Sequence, residues 1–233
     1  MQKFARWYTY IFFVVFTPIF FLALGASLLF NMTFIYTAGF DKYNVSDTVQ
    51  LSEHELKKAA SEIQKYFNNN QEYLVITVTD LSGDTFMLFD VREQEHMKDV
   101  KDVVRLAYST IVLLLITFVI VLFIAYRRKL KEADTWLICG GIGTIAAVAL
   151  CALLAIADFD SLFNFLHSLF FLENNSWVFT SDSYLVALFP SNFWVDMSML
   201  VGSLAFVGAL IMIFTGLRRS TLMYMKAKTA IKK

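Results

Sequence analysis

The residues best suited to acid–base chemistry near neutral pH in this 233-residue chain are three histidines, His54, His96 and His167. His54 stands among Ser52, Glu53, Glu55, Lys57 and Lys58 and reads as a solvated surface residue. The other two border long apolar stretches: His96 lies about ten residues before one, and His167 about ten residues after another, although 71 positions separate them. From Asp158 to Phe171 the apolar residues Phe159, Leu162, Phe163, Leu166 and Phe170 follow helical spacing, which puts Asp160, Asn164 and His167 on the opposite stripe. A carboxylate or amide one turn away can set the tautomer of an imidazole, and His96 has Glu93 and Asp99 at three-residue offsets. Spacing alone leaves two readings open: a catalytic acid–base pair, or two interfacial histidines hydrogen-bonded for structure. No HxxxH or HExxH pair supports a metal site, and neither GxSxG nor a Ser–His–Asp order supports a serine nucleophile. No metal or cofactor is expected. A reaction here would rest on proton transfer and positioning.

The elements that must position these side chains are membrane helices. The chain is 58% hydrophobic and 17% charged, with a mean hydropathy of +0.57, more apolar surface than a soluble domain of this size can bury. Four stretches reach the roughly 20 apolar residues needed to cross a bilayer: Tyr8 to Phe30, Leu106 to Tyr126, Trp136 to Ala157, and Met197 to Leu217. None has a Lys, Arg, Asp or Glu in its interior. The first is too long for a signal-peptide core of about 7–15 residues and is read as a retained helix, bent or loosened at Pro18. Cys139 and Cys151 share one apolar run and read as small packing residues.

Charge sets the expected orientation. The N-terminus, the connection between the second and third spans and the C-terminal tail together carry twelve Lys and Arg against Glu132 and Asp134 alone. The two remaining segments carry eight basic and eighteen acidic residues. Both termini are therefore expected in the cytoplasm, with the acidic segments outside. The expected organisation is a cytoplasmic N-terminus and first helix (residues 1–31), an extracellular cap (32–105), the second and third helices with a cytoplasmic loop at 127–135 (106–157), an aromatic interfacial segment (158–196), the fourth helix (197–217) and a basic cytoplasmic tail (218–233). The zero net charge speaks against nucleic-acid binding driven by bulk charge.

In the cap, Ser52 and Glu55 form a capping box opening a helix through about Phe67, with Leu56, Ala59, Ala60, Ile63 and Phe67 as its apolar stripe. Tyr73 to Thr79 and Thr85 to Phe89 read as strands of a hairpin turning at Ser82-Gly83-Asp84. A charged helix from Arg92 to Arg105 then runs on into the second span. The fold class is thus an α-helical membrane protein with four transmembrane helices and a small α+β cap. The segment from Asp158 to Val195 holds 11 aromatic residues in 38. This is denser than an aromatic belt at the membrane surface requires, so it is expected to line an apolar pocket under the cap, with Phe163, Phe170, Trp177, Phe179, Phe189 and Phe193 as candidates.

Two motif blocks resemble those of the lipoprotein intramolecular transacylase (Lit) family of Firmicute membrane proteins. One is Glu95-His96-Met97-Lys98-Asp99-Val100. The other comprises Asp158-Phe159 with Leu162-Phe163, His167-Ser168-Leu169-Phe170-Phe171, Trp177-Val178-Phe179, and Leu188-Phe189-Pro190 with Phe193 and Asp196. The chain departs from the pattern in having Ser191 where an acidic residue is expected and Trp194 beside Phe193. The resemblance implies an acyltransferase that moves the sn-2 acyl chain of a diacylglyceryl-lipoprotein to the α-amino group of its own N-terminal cysteine, giving a lyso-form, N-acylated product. It implies His96 and His167 as the catalytic pair. Glu95, Asp99 and Asp196 are candidates for orienting the imidazoles or contacting the substrate ammonium. The expected partners are the lipoprotein substrate and membrane lipid, with the protein acting as a monomer. Two other classes compete: a non-catalytic membrane module that binds a partner through its cap, and a transporter, for which the spans lack internal charges and broken segments.

Overall fold

The computed structural model describes residues 2–128, 130, 132–171 and 177–231. Lys129, Lys131, Lys232 and Lys233, part of the basic count, lie outside them. In chain order the elements are α1 (Gln2–Phe30), α2 (Thr33–Lys42), α3 (Val45–Val49), α4 (Glu53–Tyr66), β1 (Thr77–Thr79), β2 (Thr85–Met87), α5 (Val91–Arg127), α6 (Glu132–Phe170), α7 (Tyr184–Leu188) and α8 (Ser191–Ile231). Four of these helices, α1, α5, α6 and α8, are long and apolar enough to cross a membrane. The chain divides into two compact units. One comprises residues 1–25, 108–153 and 199–233; the other comprises 26–107 and 154–198.

The first unit is a bundle of apolar helices. A helix satisfies its own backbone hydrogen bonds, which is what the bilayer interior demands. Its outward side chains, such as Leu113, Leu153 and Phe214, are exposed on faces that lipid would solvate. Close approach rests on glycines of α6. A Cβ on Gly140 would lie 2.7 Å from Thr17 Oγ1, and one on Gly141 2.7 Å from the Ala209 carbonyl. Phe13, Ala125, Ala133, Trp136 and Leu137 form a buried cluster. Nearby, Arg219 donates from Nε to Asp134 at 3.1 Å and stacks over Tyr126 at 3.6 Å. α1 passes through Pro18 as one helix.

The second unit is the α+β cap with the helix ends beneath it. Ser52 N-caps α4 by accepting from Glu55 N at 3.3 Å, and the buried face of α4 carries Leu56, Ala59, Ala60, Ile63 and Tyr66. β1 and β2 pair antiparallel, with Val78 opposite Phe86, and Gly83 in the turn has φ +93°, open to glycine without strain. The strands are shorter than the hydrophobic runs suggest. The segment after α4 is strapped to α5 by Lys101, a buried lysine whose Nζ donates to Asn69 Oδ1 and the Gln71 carbonyl at 3.0 and 2.7 Å. The same ammonium lies 3.8 Å from the Tyr66 ring centroid.

Two short helices, α2 and α3, fill residues expected only as generic cap. Their buried side chains Tyr36, Phe40, Val45 and Val49 join Leu188, Phe189 and Phe193 in the core. A Cβ on Gly39 of α2 would come within 2.5 Å of the Phe193 ring, and a ring buried this deeply has little room to yield. Gly39→Ala is therefore expected to lower stability by about 1–3 kcal/mol, read as a fall in the melting temperature of the detergent-solubilised protein. A melting temperature equal to the parent's would show that α2 shifts freely.

Candidate active site

The cap-side unit brings His96 and His167 together. α5 opens at a capping box in which Glu93 N donates to Asp90 Oδ1 and Asp90 N donates to Glu93 Oε2, both at 2.8 Å. One turn further on, α5 buries His96, Met97 and Lys101 while Glu95 and Asp99 remain exposed. α6 is interrupted at Asp158 (φ −164°, ψ 95°). That residue caps the remaining turns, accepting from Ser161 N at 3.0 Å and Ser161 Oγ at 2.6 Å, and His167 lies near their end. The imidazole centroids are 6.2 Å apart with planes inclined by 23°.

Aromatic rings surround the pair. His167 has Phe163 at 4.0 Å, Trp177 at 5.0 Å and Phe171 at 5.5 Å, measured between centroids. His96 has Phe171 at 5.0 Å and Phe179 at 5.5 Å, so Phe171 touches both imidazoles. The group that orients His167 is a main-chain carbonyl and not the carboxylate or amide that helical spacing suggested. Its Nδ1 lies 2.9 Å from the Phe163 oxygen. A carbonyl can only accept, so Nδ1 carries the hydrogen and Nε2 the lone pair. His96 Nδ1 is buried with no hydrogen-bond partner among the described residues, a condition that ordinarily costs about 1–3 kcal/mol.

Both histidines border a cavity of about 350 Å³ walled chiefly by Phe30, Tyr36, Phe67, Val103, Val104 and Phe170, with Ser198 at its edge. Of the aromatic candidates, Phe163, Phe170 and Phe189 line it. Trp177 and Phe179 pack on the imidazoles instead, and Phe193 is buried against Phe189. Trp194 also lines the cavity and stacks toward Phe163 at 6.0 Å. Ser191 donates to Asp160 at 3.0 Å, so a carboxylate stands next to the position where the motif has an acid.

Two of the carboxylates offered as orienting groups, Asp196 and Glu93, hold other partners. Asp196 accepts from Lys42 Nζ and Tyr43 Oη, both at 2.6 Å. Glu93 is buried, and its Oε1 accepts from Leu185 N at 2.9 Å and, in a very short bond, from Ser183 Oγ. The carboxylate that starts α5 thereby also holds the start of α7. Glu93 stands out in the sequence only for its offset from His96, and partners about ninety residues away leave no local pattern.

Burial, and secondarily the nearby His167, push His96 down to about 4. Burial also lowers His167, partly opposed by the Phe163 carbonyl. Both imidazoles are therefore neutral at pH 7. The unfolded chain takes up a proton at His96 near pH 6.5, whereas the folded chain resists it until about pH 4. Stability is fully present above 6.5 and is lost as the pH falls between these values, by at most about 1.4 kcal/mol per pH unit. Melting temperatures from pH 7.5 to 4.5 should fall accordingly, and His96→Leu should flatten the decline.

A family profile for the lipoprotein intramolecular transacylase Lit matches residues 11–194. The chain belongs to the Lit family. The membrane-integral Lit of Bacillus cereus, solved in meso, superposes with a TM-score of 0.80 at 16% identity, covering 97% of this chain and all of that one. A variant of the same protein with one histidine replaced by arginine gives 0.74 at 16% identity over 100% and 96% of the two chains. A variant with alanine there gives 0.72 at 17% over 96% and 97%. At these identities the likeness establishes the Lit fold. An uncharacterised protein of Aquifex aeolicus is 27% identical over 129 residues, 55% of this chain and 56% of that protein, so the chain spans little more than half of that curated relative.

Proposed function

We propose that this multi-pass membrane protein is a lipoprotein intramolecular transacylase. The observation that carries this reading is the pair of imidazoles, 6.2 Å apart, bordering one apolar cavity. The substrate is a lipoprotein whose N-terminal cysteine bears a diacylglyceryl group through its sulfur. The α-ammonium, with a pKa near ~8, gives a proton to an imidazole. The freed amine attacks the sn-2 ester carbonyl and the new N–C bond forms. The nitrogen then loses a second proton, the C–O bond to glycerol breaks, and the glycerol oxygen takes a proton from the imidazolium, so that one proton is released overall. No enzyme nucleophile is needed, because one molecule carries both reacting partners.

His167 is the better base. Its Nε2 lone pair is fixed by the Nδ1–H bond to Phe163, and that carbonyl stabilises the imidazolium once formed. His96, held neutral by deeper burial, suits donation of an N–H to the carbonyl oxygen as negative charge develops there. The faces of Phe163, Phe171 and Trp177 favour the incoming ammonium by cation–π attraction. The apolar cavity holds acyl chain, which limits the freedom lost on closing a medium-sized ring; such positioning can offset several kcal/mol. The excess of Lys and Arg at the N-terminus, in the 127–135 connection and in the C-terminal tail supports cytoplasmic termini and a site at the outer leaflet.

The test is tandem mass spectrometry of a lipoprotein made in cells with and without this protein. Transfer conserves mass, so the expected result is an amide-linked chain on cysteine beside a lyso-glyceryl group. Identical fragment patterns in the two strains would overturn the reading.

A further inference from the structure

A second cavity, of about 380 Å³, shares Phe179 with the surroundings of His96. It is built from the corner joining β2 to α5, Met87 to Glu93, and from the segment Phe179 to Tyr184. Its chemistry differs from that of the first. Arg92, Thr180, Asp182 and Ser183 edge it, over a floor of fully buried Leu88 and Phe89. Its two walls are tied by one buried carboxylate, because Glu93 of the first wall accepts from Ser183 and Leu185 beside the second. Phe179 belongs to both sites: it lines this cavity and lies 5.5 Å from the His96 ring. The Arg92 guanidinium lies 5.4 Å from the centroid of the same ring and donates to the Val178 carbonyl at 3.2 Å.

A diacylglyceryl-lipoprotein sends three arms out from its cysteine: acyl chains, the amino group, and the polypeptide leaving through the cysteine carbonyl. The apolar cavity suits the acyl chains. The polypeptide carries a donor and an acceptor on nearly every residue, and burying these unpaired in an apolar space is costly. It requires a polar exit next to the imidazoles. We infer that the cavity between the β2–α5 corner and Phe179 to Tyr184 is the subsite for the first residues of polypeptide after the lipidated cysteine, an inference that rests on the transacylase reading.

Arg92, steadied on Phe179, presents donors suited to peptide carbonyls. Asp182 is ionised at neutral pH, since its hydrogen bond from Thr180 lowers it below the usual carboxylate value. The lining carries Asp90, Glu93 and Asp182 against Arg92 among its charged residues, so the rim should favour a basic over an acidic residue directly after the cysteine.

The test uses purified full-length protein in lipid nanodiscs with three synthetic substrates: diacylglyceryl-cysteine amide, and the same lipid on tetrapeptides with Lys or Glu following the cysteine. The lysine peptide is expected to have the lower KM by about fivefold, the scale of one partly exposed charge pair. Asp182→Lys should reverse that order. Thr180→Trp, which fills the cavity, should raise KM for both peptides relative to the peptide-free substrate. Conversion of all three substrates with equal KM, or an unchanged order in Asp182→Lys, would overturn the subsite alone. Failure of the unaltered protein to convert even the peptide-free substrate would overturn the transacylase reading and the subsite with it.

Discussion

His167→Ala is expected to lower the first-order rate of acyl transfer by about 10²–10⁴-fold, the usual range for a positioned acid–base group. The fold should survive, because among the described residues the side chain's polar contact is to the Phe163 carbonyl, which the helix itself already pairs with a backbone amide. His96→Leu should cost a similar factor for a different reason and with a different structural signature. Leucine removes the buried Nδ1 that has no hydrogen-bond partner among the described residues, so the variant should melt at the same or a higher temperature while losing transfer. That combination, activity lost and stability kept or gained, separates a catalytic histidine from a structural one. Because the two imidazoles act as a unit, the double variant should be far less impaired than the product of the two single losses. Single-turnover transfer followed by fragmentation mass spectrometry, alongside thermal melts, reads both quantities. Full transfer in either single variant would remove the pair from the chemistry.

Glu93→Ala is expected to be among the most destabilising single changes in the cap-side unit. It strips acceptors from Asp90 N, Leu185 N and Ser183 Oγ at once, and hydrogen bonds to a charged partner contribute about 1.5–3 kcal/mol each. Both the start of α5, which carries His96 one turn later, and the start of α7, which carries Leu185 to the apolar cavity and Leu188 to the core, lose their anchor. Loss of folded protein, or a melting transition lowered by roughly 3 kcal/mol or more, should accompany loss of transfer. Glu93→Gln offers the informative contrast. Glutamine can keep the reciprocal bond of the capping box, but one of its two terminal groups becomes a donor, so the tether to Ser183 and Leu185 is weakened selectively. Its expected phenotype is intermediate stability with a larger loss of activity than of folding. A Glu93→Ala protein as stable as the parent would show that these three bonds do not hold the unit together.

Much of this architecture follows from the sequence because its causes are local. Four apolar runs free of internal charge can satisfy their backbones in lipid only as helices, and α1, α5, α6 and α8 contain them. Ser52 with Glu55 started α4 where the capping box requires, and the turn at Gly83 closed the hairpin. The paired His motifs also marked the two residues that come together. What local pattern does not carry was decided by tertiary contact. α2 has no side-chain N-cap, and α3 is bounded by Asn44 and Gln50 in left-handed conformation without glycine, so neither announced itself; packing of Tyr36, Phe40 and Val45 on the aromatic segment holds them. The role of Glu93 depends on partners about ninety residues later, whereas Asp196, a candidate by motif, is engaged by Lys42 and Tyr43. The tautomer of His167 rests on a carbonyl, a group every residue has and no side-chain pattern reveals. Sequence determined which residues could do the chemistry; the folded chain decided which of their neighbours hold them, because burial and hydrogen-bond geometry are properties of distance in space rather than along the chain.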